Sequence, residues 1–160
     1  ISVLNLDSSS PQGDKAVVEI LKKFESSKEC SVDCSDIPDL VPPLAIAACA
    51  RKSATHFVNA GRLRLKESDR IESVANLVNN LGGRVETAQD SLTVFGSGAL
   101  KGGKISSQND HRIAMAAAIA STISEEPVTI DGAEAVQKSY PTFFQDFNKL
   151  GGAFNVISLR

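Results

Sequence analysis

The sequence contains no tryptophan, one tyrosine, one methionine and three cysteines in 160 residues. Aromatic content of 5% leaves no series of flat platforms on which single-stranded nucleic acid would stack. Cys30, Cys34 and Cys49 are an odd number, and with only His56 and His111 beside them they offer neither a disulfide framework nor the paired ligands of a structural zinc site. Long hydrophobic runs are missing as well. The two longest, LVPPLAIAACA from Leu40 and IAMAAAIA from Ile113, fall short of the roughly 20 residues that span a bilayer. The first residues lack the basic-then-apolar layout of a secretory leader, which points to the cytoplasm. Nor is there an excess of charge: 17 Lys and Arg face 19 Asp and Glu, so no global field attracts nucleic acid or an anionic membrane. Any anion site must be a local cluster. What remains, 42% hydrophobic and 22% charged, is the composition of a globular domain with a sizeable core.

The chain repeats itself. Asp39 opens LVPPLAIAACARKSATHFVNA, followed by the charged stretch ESDRIESVANLVNN, Leu81-Gly82-Gly83 and the strand-like RVETAQDSLTVF. Asp110, 71 residues later, opens HRIAMAAAIASTISEEPVTIDGA, followed by SYPTFFQDFNK, Leu150-Gly151-Gly152 and AFNVISL. Each copy reads as buried helix, strand, amphipathic helix, glycine stop, then strand or hairpin. Ile71, Val74, Leu77, Val78 and Leu81 share one helical face, as do Tyr140, Phe143, Phe144, Phe147 and Leu150, so both amphipathic helices are expected to be half-buried. Gly82 and Gly151 are expected as left-handed helix stops, Asn109 or Asp110 as the N-cap of one buried helix, and Asp39 as that of the other. GALKGGKIS, from Gly98, approaches a phosphate loop but carries Ile105 where Ser or Thr would be needed, and reads as a hairpin turn. An earlier helix, DKAVVEILKKF from Asp14, places Val17, Ile20, Leu21 and Phe24 on one face. It reads as the remnant of a preceding unit, so the chain looks like a piece of a larger α/β protein that begins inside a unit.

Charge concentrates at helix starts. RLRLKESDRI brings Arg62, Arg64, Lys66, Glu67, Asp69 and Arg70 together; Arg112 follows the cap of a second helix, and Lys138 precedes a third. Cations at helix N-termini oppose the macrodipole, and a multiply charged phosphate or carboxylate would relieve that opposition. Taken alone, Glu67 and Arg70 could equally be an exposed i,i+3 pair, and His111 an ordinary satisfied histidine.

SPQGD at Ser10, DIPDLVPPLAIAA at Asp36, LRLKESDRI at Leu63, NDHRIAMA at Asn109 and KSYPTFFQDFNKLGG at Lys138 resemble, in order and spacing, the C-terminal part of the 5-enolpyruvylshikimate-3-phosphate synthase family. The resemblance implies two similar domains, each of three βαβαββ units, with the active site between them. This chain would be an α/β protein with repeated βαβαββ units of the enolpyruvyl transferase type, an inside-out α/β barrel, holding two full units and part of a third. The expected division is a partial first unit over 1–35, a second over 36–106 and a third over 107–160, with the N-terminal domain absent. The resemblance further implies transfer of the carboxyvinyl group of phosphoenolpyruvate to the 5-hydroxyl of shikimate 3-phosphate, with release of phosphate and with no metal or organic cofactor.

Residue by residue, the resemblance makes Asp39 and Glu67 catalytic, Asp39 and Lys66 contacts to shikimate 3-phosphate, and Arg70, His111, Arg112 and Lys138 contacts to phosphoenolpyruvate. It leaves open how acid and base work divides among Asp39, Glu67 and Lys66. Arg62 stands where some members carry an asparagine. With half the active site absent, this chain alone is expected neither to turn over nor to bind phosphoenolpyruvate tightly. The alternatives are the sister transferase acting on a UDP-sugar, or a non-catalytic binding module, with a homodimer covering apolar surface that the incomplete first unit leaves open.

Overall fold

A computed structural model describes residue 7, residues 9–26 and residues 28–157. Helix α1 (Ala16–Phe24) leads to strand β1 (Cys30–Asp33), then α2 (Val41–Cys49), β2 (Ala54–Val58), α3 (Arg70–Asn80) and the hairpin strands β3 (Arg84–Thr87) and β4 (Leu92–Phe95). The order then restarts with β5 (Gly103–Ser106), α4 (His111–Ala120), β6 (Val128–Asp131) and α5 (Phe143–Lys149). Two strands joined through a helix can pair only in parallel when the connection is long enough to cross over. Both copies do so: β1 pairs with β2 from Cys30 opposite Thr55, and β5 with β6 from Gly103 opposite Val128. In the first copy β4 adds antiparallel to β2 and β3 antiparallel to β4, giving the order β1-β2-β4-β3.

Helices α2, α3 and α4 pack on one another inside, and the sheets lie outside them. This follows from side-chain patterning. Val41, Leu44, Ala45, Ile46, Ala48 and Cys49 bury nearly all sides of α2, while alanines 114, 116, 117, 118 and 120 let α4 approach its neighbours closely. The strands are apolar on one face only, with Phe57 of β2 and Leu92 and Val94 of β4 buried. Ile71, Val74, Leu77, Val78 and Leu81 form the expected stripe on α3, each burial contributing about 1.5–3 kcal/mol before entropy is counted.

The two LGG segments are the same device. Gly82, with φ of +82°, follows α3; its N–H donates to the Asn79 carbonyl and that of Gly83 to the Val78 carbonyl. Gly151, with φ of +101°, follows α5, and the N–H groups of Gly151 and Gly152 reach Asn148 and Phe147 in the same way. These are Schellman closures, which need a residue free to turn left-handed.

The structure corrects four expectations. AFNVISL is not a strand: residues 153–157 carry no regular structure, and the rest of that segment lies outside the described residues. A strand needs a ladder partner, and none of the described strands pairs with it. The α5 stripe is correspondingly only half covered, with Tyr140 and Leu150 exposed. On α1, Leu21 is exposed and Ile20 alone is buried. GALKGGKIS is not a hairpin turn. It carries the chain from one sheet to the other, with Leu100 bridging in parallel to Ser124. Gly102 is required there because a Cβ would meet the Glu126 carbonyl oxygen. The fourth correction concerns Asp39.

Candidate active site

Three helix starts converge. Asp69 and Asp110 cap α3 and α4: Asp69 accepts from the N–H groups of Ile71 and Glu72, and Asp110 from that of Arg112 at 2.9 Å. Asp39 was expected to do the same for α2 but caps nothing. The N-cap position of α2 is Leu40, one residue past Asp39, and the second and third helical positions, from which a cap would accept, are Pro42 and Pro43, which have no N–H. The Asp39 carboxylate, set in a 3₁₀ turn over Pro38–Leu40, is left to turn inward.

It turns onto Arg70. The guanidinium of Arg70, the first residue of α3, is buried and surrounded by three carboxylates. Its Nε donates to Asp110 Oδ2 at 2.8 Å and Nη1 to Asp39 Oδ1 at 2.5 Å. Its Nη2 donates to Glu67 Oε2 at 2.6 Å and to Asp110 Oδ1 at 3.2 Å. The Glu67–Arg70 pair is therefore no exposed helix pair. Around it, Lys66 Nζ lies 3.4 Å from Asp39 Oδ1, and Arg112 Nη2 donates to Asp39 Oδ2 at 3.4 Å. His111, on the first turn of α4, points Nδ1 toward Glu67 Oε1 at 3.8 Å, and that buried nitrogen has no hydrogen-bond partner; nor has the buried Nε of Arg112.

The charges tune one another. Burial pushes the Asp39 carboxyl up, but the Arg70 hydrogen bond and the Arg112 and Lys66 charges outweigh it and hold the group below the usual aspartate range. Burial and the Arg70 bond compete at Asp110 with the same outcome. Arg70 loses from burial and gains more from Asp110 and Asp39, so its proton is held more tightly than usual.

Asp39, Lys66, Glu67, Arg70, His111 and Arg112 are thus brought into one cluster. Lys138 stands just outside it, exposed, with Nζ donating to the Asn109 carbonyl beside the α4 cap. Arg62 is exposed and reaches the Ser35 carbonyl at 3.2 Å. Arg64 secures the segment before α3, bonding Asp69, Ala88 and Gln89. In the sequence Asp110 reads only as a cap; its buried grip on Arg70 is a pairing across 40 residues that no local pattern announces. Among the described residues no group of His, Cys, Asp and Glu is arranged to hold a metal, and no helix is long and apolar enough to cross a membrane.

The site is thus three helix starts of an α/β protein that gather cations and carboxylates around one buried guanidinium. The family described as EPSP synthase (3-phosphoshikimate 1-carboxyvinyltransferase) matches residues 1–147. A 3-phosphoshikimate 1-carboxyvinyltransferase of Clostridium acetobutylicum is 45% identical over 99% of this chain, and one of Clostridioides difficile is 40% identical over 95%. The chain spans only 40% and 38% of those two relatives. The solved EPSP synthase of Acinetobacter baumannii superposes with a TM-score of 0.72 at 35% identity, covering 76% of this chain and 29% of that one. The chain belongs to the EPSP synthase family and has its inside-out α/β fold.

Proposed function

We propose that this chain carries one half of the active site of an enolpyruvyl transferase that joins phosphoenolpyruvate to shikimate 3-phosphate. The observation that carries the reading is the cluster of Lys66, Arg70 and Arg112 gathered around Asp39 and Glu67 in a family member. Both substrates are multiply anionic, so bringing them together requires cations in fixed positions. In the proposed reaction the 5-hydroxyl oxygen attacks C2 of phosphoenolpyruvate and loses its proton while the methylene carbon gains one. Loss of a proton from the resulting methyl group then expels phosphate and restores the vinyl group.

Glu67 is the proposed proton carrier at the methylene carbon and Asp39 the proposed base for the hydroxyl, with Lys66 sharing that work. Asp39 and Lys66 face shikimate 3-phosphate; Arg70, His111, Arg112 and Lys138 face phosphoenolpyruvate. The length that relatives possess beyond this chain would supply the opposite wall of the cleft, and the whole would work in the cytoplasm. A second copy of this chain is the alternative partner, covering apolar surface that the incomplete first unit leaves open, where Val18 and Leu21 are exposed. Light scattering separates the two.

The test is phosphate release from phosphoenolpyruvate and shikimate 3-phosphate, by this chain and by the natural gene product that contains it. The chain alone is expected to be inactive and the full product active, and Glu67→Gln is expected to cut kcat by at least 100-fold, the lower end of what a positioned acid or base contributes. Unchanged turnover in the Gln variant overturns the reading.

A further inference from the structure

We propose that Asp110 is the positioning residue of this site: it holds the Arg70 guanidinium in place while Asp39 and Glu67 give up their bonds to it in favour of an anionic ligand. The inference deepens the function proposed above and rests on it. Three carboxylates share one guanidinium, but they are not alike. The Asp110 side chain is 0% exposed, whereas those of Asp39 and Glu67 are 36% and 42% exposed.

Asp110 is held from every side. Besides its two bonds to Arg70, its Oδ1 accepts from the Arg112 backbone and its Oδ2 from the Ser68 hydroxyl at 3.0 Å. Ser68 is braced in turn by the Ser73 hydroxyl at 3.0 Å, which also meets the Gln108 side chain at 2.8 Å. Rotating the Asp110 carboxylate would break a helix cap, a hydroxyl bond and a two-pronged guanidinium contact together, in a place water does not reach. Asp39 and Glu67 face water on their outer sides. Withdrawing them from Nη1 and Nη2 costs little desolvation, and phosphate or carboxylate oxygens of a ligand can accept from the same two nitrogens. Once Asp39 loses the Arg70 bond that depresses it, it becomes a better proton acceptor as the ligand arrives.

Asp110→Asn separates the two duties of this residue. Asparagine caps a helix as well as aspartate, so the start of α4 is kept, while the charge and one acceptor facing Arg70 are lost. The readout is the Arg70 Nε–H signal in ¹H–¹⁵N spectra of this chain. It is expected to be resolved and slow to exchange in the wild type, lost in Asp110→Asn, and kept in the double variant Asp39→Asn/Glu67→Gln. On addition of millimolar phosphoenolpyruvate, the Nε–H signal is expected to stay while the carboxyl carbons of Asp39 and Glu67 shift. Persistence of the signal in Asp110→Asn, its loss in the double variant, or its loss on ligand addition overturns the proposal. A wild-type chain that shows no response to millimolar phosphoenolpyruvate, while the ligand-free pattern holds, overturns the exchange of Asp39 and Glu67 for ligand; the proposed function is judged separately, by turnover of the longer gene product. If Asp110→Asn does not fold, Ser68→Ala decides: Arg70 Nε–H exchange is expected to quicken several-fold, and unchanged exchange overturns the proposal.

Discussion

Asp39 and Asp110, 71 residues apart and close to the starts of α2 and α4, both grip the guanidinium of Arg70, one at Nη1 and the other at Nε. Asp110 also caps its helix and Asp39 cannot. Local backbone chemistry sets two similar acids to different work.

Arg70 is expected to matter for stability before it matters for binding. Arg70→Met leaves Asp110 buried without its cation, and removing one partner of a buried pair costs about 3–5 kcal/mol. Urea denaturation measures the loss. Arg70→Met/Asp110→Asn should recover part of it, because the buried charge is removed with its partner; a double variant no better than the single contradicts this account.

Acid should loosen the molecule through the same cluster. Asp39 and Asp110 are both depressed in the folded state, so their stabilisation is fully present above the ordinary aspartate value of about 3.9 and is lost as pH falls toward their folded values. Thermal melts by circular dichroism from pH 6 to pH 2 should show Tm falling below about pH 4. The fall should be shallower in Asp110→Asn, which has one depressed acid fewer.

The two glycine stops should respond differently to the same change. Alanine in the left-handed region costs about 1–2 kcal/mol. At Gly82 it also meets the Lys101 side chain, and α3 belongs to the core, so Gly82→Ala should lower the global urea midpoint. A Cβ at Gly151 has nothing within 4 Å, and α5 has no fully buried residue. Gly151→Ala should therefore fray α5, seen as faster amide exchange there, with little change in the midpoint.

The cysteines should divide by burial. Desolvation pushes the thiols of Cys34 and Cys49 up to about 12, so neither supplies thiolate at neutral pH, whereas Cys30 is partly exposed. A disulfide reagent at pH 8 should titrate one thiol in the native protein and the other two only after unfolding. Three fast thiols would contradict the buried placement.

Much of this was legible beforehand for physical reasons. The α3 stripe and both glycine stops are local patterns of period and backbone freedom, and they stand where the sequence places them. The gathering of Asp39, Lys66, Glu67, Arg70 and Arg112 was readable through family motifs. What escaped depended on partners. AFNVISL has strand composition but no described neighbour to pair with, Leu150 has the apolar character of Leu81 without its covering, and Asp110 looked like a cap because the charge it faces is distant in sequence. The Asp39 expectation failed on a detail that was in the sequence all along, the two prolines that follow.

Those prolines set a trade. Replacing Pro42 and Pro43 with residues that carry an N–H would offer the start of α2 donors for a cap it now lacks, worth about 1 kcal/mol, and Asp39 is the acid beside them in the sequence. A more stable helix would then compete with the site for that carboxylate. The weakly closed end of α2 keeps an acid in reserve, and selection for stability alone would tend to spend it.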